Sequence, residues 1–197
     1  MSENAFSDAD LAYLRANYFT LEELCAGRAD SPEEVRALVR RGLLPAPSYV
    51  LDDRTELFPA DYFVLVDQAR GPRRLRRHFE SRHRAAGGDP AVLGEDWQGY
   101  IDGVYGVCLR QVLPETIVRK GELVASLERL LADPEPGSSD WQAQLRLCVW
   151  ELDALEREFA PDYDRGARFG GPPTRDRLIA AARDRNPGLF GVEMLAR

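Results

Sequence analysis

Two stretches gather the residue types that do chemistry. The first runs from Phe159 to Asp176 and reads FAPDYDRGARFGGPPTRD. It is too rich in glycine and proline for a helix, and loops of this kind often line sites. Asp162 and Asp164 are its candidates for acid/base work, which needs a positioned titratable side chain. Tyr163, between them, offers a ring for stacking. Thr174 is placed to cap a helix over about 175–185. Arg168 and Arg175 flank that helix start, where free N–H groups and the helix dipole favour a phosphate or carboxylate. Neither GxxxxGK[ST] nor GxGxxG is present. The plain alternative is a loop that only covers neighbouring helices.

The second stretch is EDWQGYIDGVYGVCLR, residues 95–110. Trp97, Tyr100, Ile101, Val104, Cys108 and Leu109 recur with helical period, and Asp96 is placed to cap the helix. Gly99, Gly103 and Gly106 interrupt it. Each glycine costs about 1 kcal/mol against alanine inside a helix, so something must offset about 3 kcal/mol. Close helix–helix contact along the glycine face is one answer. A kink or loop that admits a ligand beside Trp97, Tyr100 and Tyr105 is the other. Cys108 on an apolar face reads as a small buried hydrophobe. As a nucleophile it would need a basic partner and partial exposure; Arg110 is near, but no histidine is close in sequence. Together the two stretches predict a small-molecule pocket. Trp97, Tyr100, Tyr105, Cys108 and Tyr163 are its ligand contacts, Arg168 and Arg175 its anion contacts, and Asp162 or Asp164 its acid/base group.

The elements that must position these residues are legible in part. Ser7 caps a helix over about 8–17, with Asp8 and Asp10 in its first turn. Thr20 with Glu23, and Ser31 with Glu34, form capping boxes for two short helices. Pro32 takes the first position of the second, where its missing N–H costs nothing, and Gly42 ends it. Val35, Leu38 and Val39 give that helix one buried face. Tyr49–Leu51 and Glu56–Phe58 are short strands joined by the loop 52–55, and a helix over about 60–70 follows. A helix starting at Pro114 carries the stripe Ile117, Val124, Leu127 and Leu131. After a loop over 133–140, Trp141, Leu145, Cys148, Leu152, Leu155 and Phe159 repeat at spacings of four and three. That seam predicts a long antiparallel pair of helices.

Composition limits the function classes. The chain has 197 residues, 44% hydrophobic and 30% charged, with a net charge of −7. A packed core is therefore expected, in one domain or two small ones. Cys25, Cys108 and Cys148 are far apart and odd in number, which argues against a disulfide framework or a zinc finger and for a reducing, cytoplasmic compartment. No run approaches the roughly 20 apolar residues of a membrane helix, and the acidic N-terminus lacks the pattern of a signal peptide. Residues 73–84 hold six Arg against one Glu, which reads as a solvated helix face or an anion-binding patch. His78 and His83 are five apart, a poor fit to the i, i+4 spacing of two metal ligands. No metal site and no cofactor is predicted.

The segments FTLEEL (19–24), SP-x-x-V (31–35) and RGLLP (41–45), with Phe58 ahead of Asp61-Tyr-Phe63, resemble the winged helix-turn-helix of MerR-type regulators. The resemblance implies DNA reading by Arg36, Arg40, Arg41 and Arg54. The charge opposes it. Residues 1–70 hold thirteen acidic and seven basic residues, a net −6, whereas DNA affinity depends on neutralising several phosphates. On a wider scale, the order YLRANY, TLEEL, VRALVRRGLLPAPSYVLDD, WxxYxxGxYGVCLR, PExIVRK, FAPDYDR, RFGGP and RDRLI resembles a bacterial family labelled natural product biosynthesis protein. That implies a role in secondary metabolism and names no catalytic residues.

The expected architecture is mainly α. A winged-helix unit with a small β-hairpin wing covers residues 1–70, and a helical unit with a long antiparallel helix pair covers 71–197. The expected function is that of an accessory protein or small enzyme of natural product biosynthesis, with a small-molecule substrate or a biosynthetic partner protein and no membrane. The alternative is a MerR-like regulator with a helical effector or dimerisation domain.

Overall fold

The computed structural model describes residues 6–132, 137–165 and 172–190. The chain is mainly helical, with one small three-stranded sheet. Helix α1 (Asp8–Asn17) starts at Ser7, whose hydroxyl accepts from the Asp10 N–H while the Asp10 carboxylate accepts from the Ser7 N–H. The same reciprocal box starts α2 (Leu21–Leu24) at Thr20 and α3 (Pro32–Arg40) at Ser31. Each box satisfies two orphan donors at a helix start. Between α1 and α2 lies a strand with no sequence forecast, β1 (Tyr18–Phe19). The strands β2 (Tyr49–Val50) and β3 (Glu56–Pro59) complete an antiparallel sheet in the order β1-β3-β2. The helix expected over 60–70 is shorter: α4 spans Val64–Gln68, after a turn.

Helix α5 (Pro72–Ala85) follows Gly71, whose φ of 114° is one that side-chain-bearing residues rarely adopt. It buries Leu75, Phe79 and His83 at a spacing of four. Leu75 and Phe79 join the same core as Phe58, Tyr62 and Leu65, so the packing is continuous across residue 71. A second apolar cluster lies further on. It joins α8 (Pro114–Leu131) and α9 (Ser139–Leu155) with Leu178, Ile179 and Ala182. Trp141 donates its indole N–H to the Leu130 carbonyl at 3.1 Å, and Arg119 pairs with Glu151. No described helix is long and apolar enough to cross a membrane.

The glycine-rich stretch between these clusters is not one helix. Helix α6 (Leu93–Ile101) ends at Asp102, Gly103 adopts φ 74°, and α7 (Val104–Cys108) sets off anew. A side chain at Gly103 would overlap the Ala46 carbonyl and stand 2.9 Å from that of Pro47, and one at Gly106 would overlap the Ser48 hydroxyl. Gly103 and Gly106 therefore admit the extended segment 45–48, while at Gly99 of α6 a side chain would stand 2.9 Å from the Tyr105 ring of α7. Ala46 donates its N–H to the Ile101 carbonyl at 2.7 Å, which fixes the junction.

Candidate functional site

The break at Gly103 creates the first feature of the site. In a straight helix, residues nine apart lie about 13 Å along the axis and on opposite faces. Here α7 folds back, and the Tyr105 hydroxyl donates to Asp96 Oδ1 at 2.5 Å. The other oxygen of Asp96 meets His83 Nε2 at 2.8 Å. Asp96 was expected to cap a helix; α6 instead begins three residues earlier, and the carboxylate turns inward to these two partners. A carboxylate flanked by a phenol and an imidazole calls for a proton on Nε2. In the neutral ring Nδ1 is then an acceptor, and it is buried without a hydrogen-bond partner. Burial, and then Asp96, hold the Tyr105 phenol well above its ordinary pKa, so it stays a donor.

This chain of three groups borders a cleft of about 500 Å³ between α5, α6 and α8, with Val92, Ile117, Val118 and Val124 among its apolar walls. The size suits a small organic molecule. A second lobe of about 320 Å³ shares Tyr105, Lys120 and Thr174 and adds Cys108 and Phe159. Gly88 closes the cleft beside His83: a side chain there would overlap the imidazole. Gly121, in the middle of α8, also lines the cleft, and nothing lies within 4 Å of where its Cβ would stand. Helix α8 thus forgoes about 1 kcal/mol of propensity at a position where packing would tolerate a side chain.

Lys120 sits where the two lobes meet. Its Nζ lies 2.7 Å from Glu156 Oε1; the glutamate is fully buried and the lysine side chain is 16% exposed. A short bridge aligns them: Leu109 pairs with Glu156, and the Arg157 N–H donates to the Cys108 carbonyl at 2.7 Å. Burial alone would lower the Lys120 ammonium, but the Glu156 carboxylate beside it holds it above the usual lysine range. Burial pushes the Glu156 carboxyl up, and Lys120 and Arg175 offset that desolvation only in part. Burial likewise pushes the Cys108 thiol up, so it rests as a thiol.

The residues singled out from sequence divide into two groups. Tyr105 and Cys108 line the lobes, together with Phe159, Pro172 and Thr174 of the later loop. The two chemical stretches do meet, through these residues. Trp97 and Tyr100 pack behind the cleft on Phe79, with ring centroids at 5.4 and 5.2 Å. Asp162, Tyr163 and Asp164 face the N-terminal elements. The backbone N–H groups of Asp162 and Tyr163 donate to Asp10, and the Tyr163 ring stacks on Phe6 at 4.2 Å. Asp164 is buried and accepts from the Tyr49 hydroxyl at 2.5 Å and the Ala160 N–H at 2.8 Å. Arg175 pairs with Asp153. Arg168 lies outside the described residues. Among the arginines of the DNA-reading alternative, Arg36 is held by Glu22 at 2.7 Å and Glu56 at 3.1 Å, while Arg40, Arg41 and Arg54 are exposed.

His83, Asp96 as a site group, Lys120, Glu156 and Gly121 were missed from sequence. One signal was available: a glycine at the centre of the long stripe of α8, where nothing in the local pattern asks for one.

The family model of a family of unknown function, DUF6058, matches residues 68–187. The chain belongs to this family. No match to a curated protein or to a solved structure reaches significance. The DUF6058 segment opens at the end of α4 and contains every residue named above as lining the two lobes.

Proposed function

We propose that this DUF6058 protein serves natural product biosynthesis, as an accessory protein or small enzyme that binds a small molecule in the cleft between α5, α6 and α8. The observation that carries the reading is the cleft itself, with Asp96 held between His83 and Tyr105 at its edge. A proton-transferring triad and an orienting set for a polar ligand use the same arrangement. The biosynthetic role rests on the whole-chain resemblance described above. Gly121→Phe supplies the test. The phenylalanine fills open space in the cleft, so the fold should persist while ligands are excluded. In a thermal-shift screen of small metabolites, compounds that raise the melting temperature of the wild type should have no effect on this variant. Equal shifts in both proteins would place the ligand elsewhere. Gly121→Ala, which fills less of the space, should raise stability by about 1 kcal/mol, read by urea unfolding.

A second reading keeps the N-terminal unit as a MerR-like winged helix-turn-helix, formed by α2, α3 and the β2–β3 pair, with α8 and α9 as the long antiparallel pair of the effector or dimerisation domain. Its support is the order of capped helices and strands and the cross-contacts Arg119–Glu151 and Trp141–Leu130. The ion pairs of Arg36 weaken it, because they neutralise the arginine nearest the middle of α3. Operator binding would show as affinity that falls steeply with salt; an affinity for DNA no higher at low salt than at high salt removes this reading.

A further inference from the structure

We infer that the cleft selects an organic cation, an amine carried on an apolar body; the inference rests on the cleft being the ligand site. The charged groups that line it are Asp89, Glu95, Asp96, Glu122, Lys120 and His83. Lys120 contributes little field, because Glu156 is in contact with it and the pair carries no net charge whether the proton sits on nitrogen or on oxygen. Four carboxylates then remain. Arg119 meets Glu122 at 2.9 Å, but it is shared with Glu151, so those three groups together still carry one negative charge. Asp89, Glu95 and Glu122 are exposed at the rim, and Asp96 lies deeper with its side chain 17% exposed. A concave site lined by one sign of charge concentrates the opposite sign.

A second observation points the same way. His83 is fully buried, lines the cleft, and has no partner at Nδ1. In the neutral imidazole whose Nε2–H donates to Asp96, Nδ1 is one more acceptor. Apart from Lys120, the cleft therefore offers chiefly acceptors, and an ammonium brings donors and positive charge together. The cation is organic for two reasons. No group of three or more His, Cys, Asp or Glu among the described residues could hold a metal ion. Ile117, Val118 and Val124 also supply apolar surface that a metal would not use.

Three probes of nearly equal shape isolate the charge: tryptamine, tryptophol and indole-3-acetate, titrated by calorimetry at low and moderate salt. Tryptamine should bind about ten-fold more tightly than tryptophol, the size expected of several partly screened attractions acting together. Indole-3-acetate should be weakest. Glu95→Gln with Glu122→Gln, both exposed and outside the core, should narrow the gap, and added salt should do the same. Binding of tryptophol or indole-3-acetate as tight as that of tryptamine, or no tryptamine binding at millimolar concentration, overturns the inference. Gly121→Phe separates the two levels. Anion binding that this variant abolishes sinks the cation class and leaves the cleft as the site. Tryptamine binding that it leaves intact sinks the cleft.

Discussion

Gly103→Ala should destabilise the protein by about 3 kcal/mol or more. Two costs add. An alanine at φ 74° bears the left-handed penalty of about 1–2 kcal/mol. Its methyl group would also overlap the Ala46 carbonyl, a backbone atom that no rotamer change can move aside, and overpacking costs about 1–3 kcal/mol. The damage should extend to the site. Relief of the clash moves α7 relative to α6, and the Tyr105–Asp96 bond exists only because these helices fold back on each other. Urea unfolding against Gly94→Ala gives the comparison, since Gly94 lies in α6 with open space at its Cβ. That control should be neutral or slightly stabilising. Similar stability in the two variants would mean that Gly103 is not a required hinge.

The second large effect concerns Lys120 and Glu156. Lys120→Met should cost about 3–5 kcal/mol, because it strands a fully buried carboxylate. Glu156→Leu should cost a similar amount. The double substitution should recover most of the loss, since a buried ion pair and a well-packed apolar pair are often nearly equal in stability. A double-mutant cycle reads the coupling directly; additive losses would contradict it. The pH dependence has a definite sign. Lys120 is raised in the folded state, so its contribution is complete below the ordinary value of 10.5 and is lost as pH rises through the higher folded value. Glu156 is raised too, so its burial cost is relieved as pH falls through its folded value. The deficit of Lys120→Met should therefore shrink on acidification, as the stranded carboxyl takes up a proton.

What the sequence showed of this architecture was mostly local. The caps at Ser7, Thr20 and Ser31 depend on residues three apart, and all three form as reciprocal boxes. The mainly helical character followed from long periodic stripes. Strand β1 was not legible, because Tyr18 and Phe19 stand between two helices and lack the loop and partner run that marked Tyr49–Leu51 and Glu56–Phe58 as a pair. The glycines signalled an anomaly without its partner, since the segment at 45–48 lies more than fifty residues away. The site was the least legible part. His83 was hidden in a run of arginines, Asp96 looked like a cap, and Lys120 and Glu156 are thirty-six positions apart. Asp162 and Asp164 looked suited to acid/base work because they are close together and polar. Their neighbours, Asp10 and Tyr49, belong to distant segments that no local pattern announces.

The central claim is that the cleft beside His83 holds the ligand. The chain has two histidines, so a His78→Gln background leaves one imidazole to follow by NMR. Titration of that protein with the compounds that raise its melting temperature should shift the His83 ring signals, and Gly121→Phe should abolish the shift. Stabilising compounds that leave His83 unmoved, a shift that persists in Gly121→Phe, or no stabilising compound at all would contradict the account.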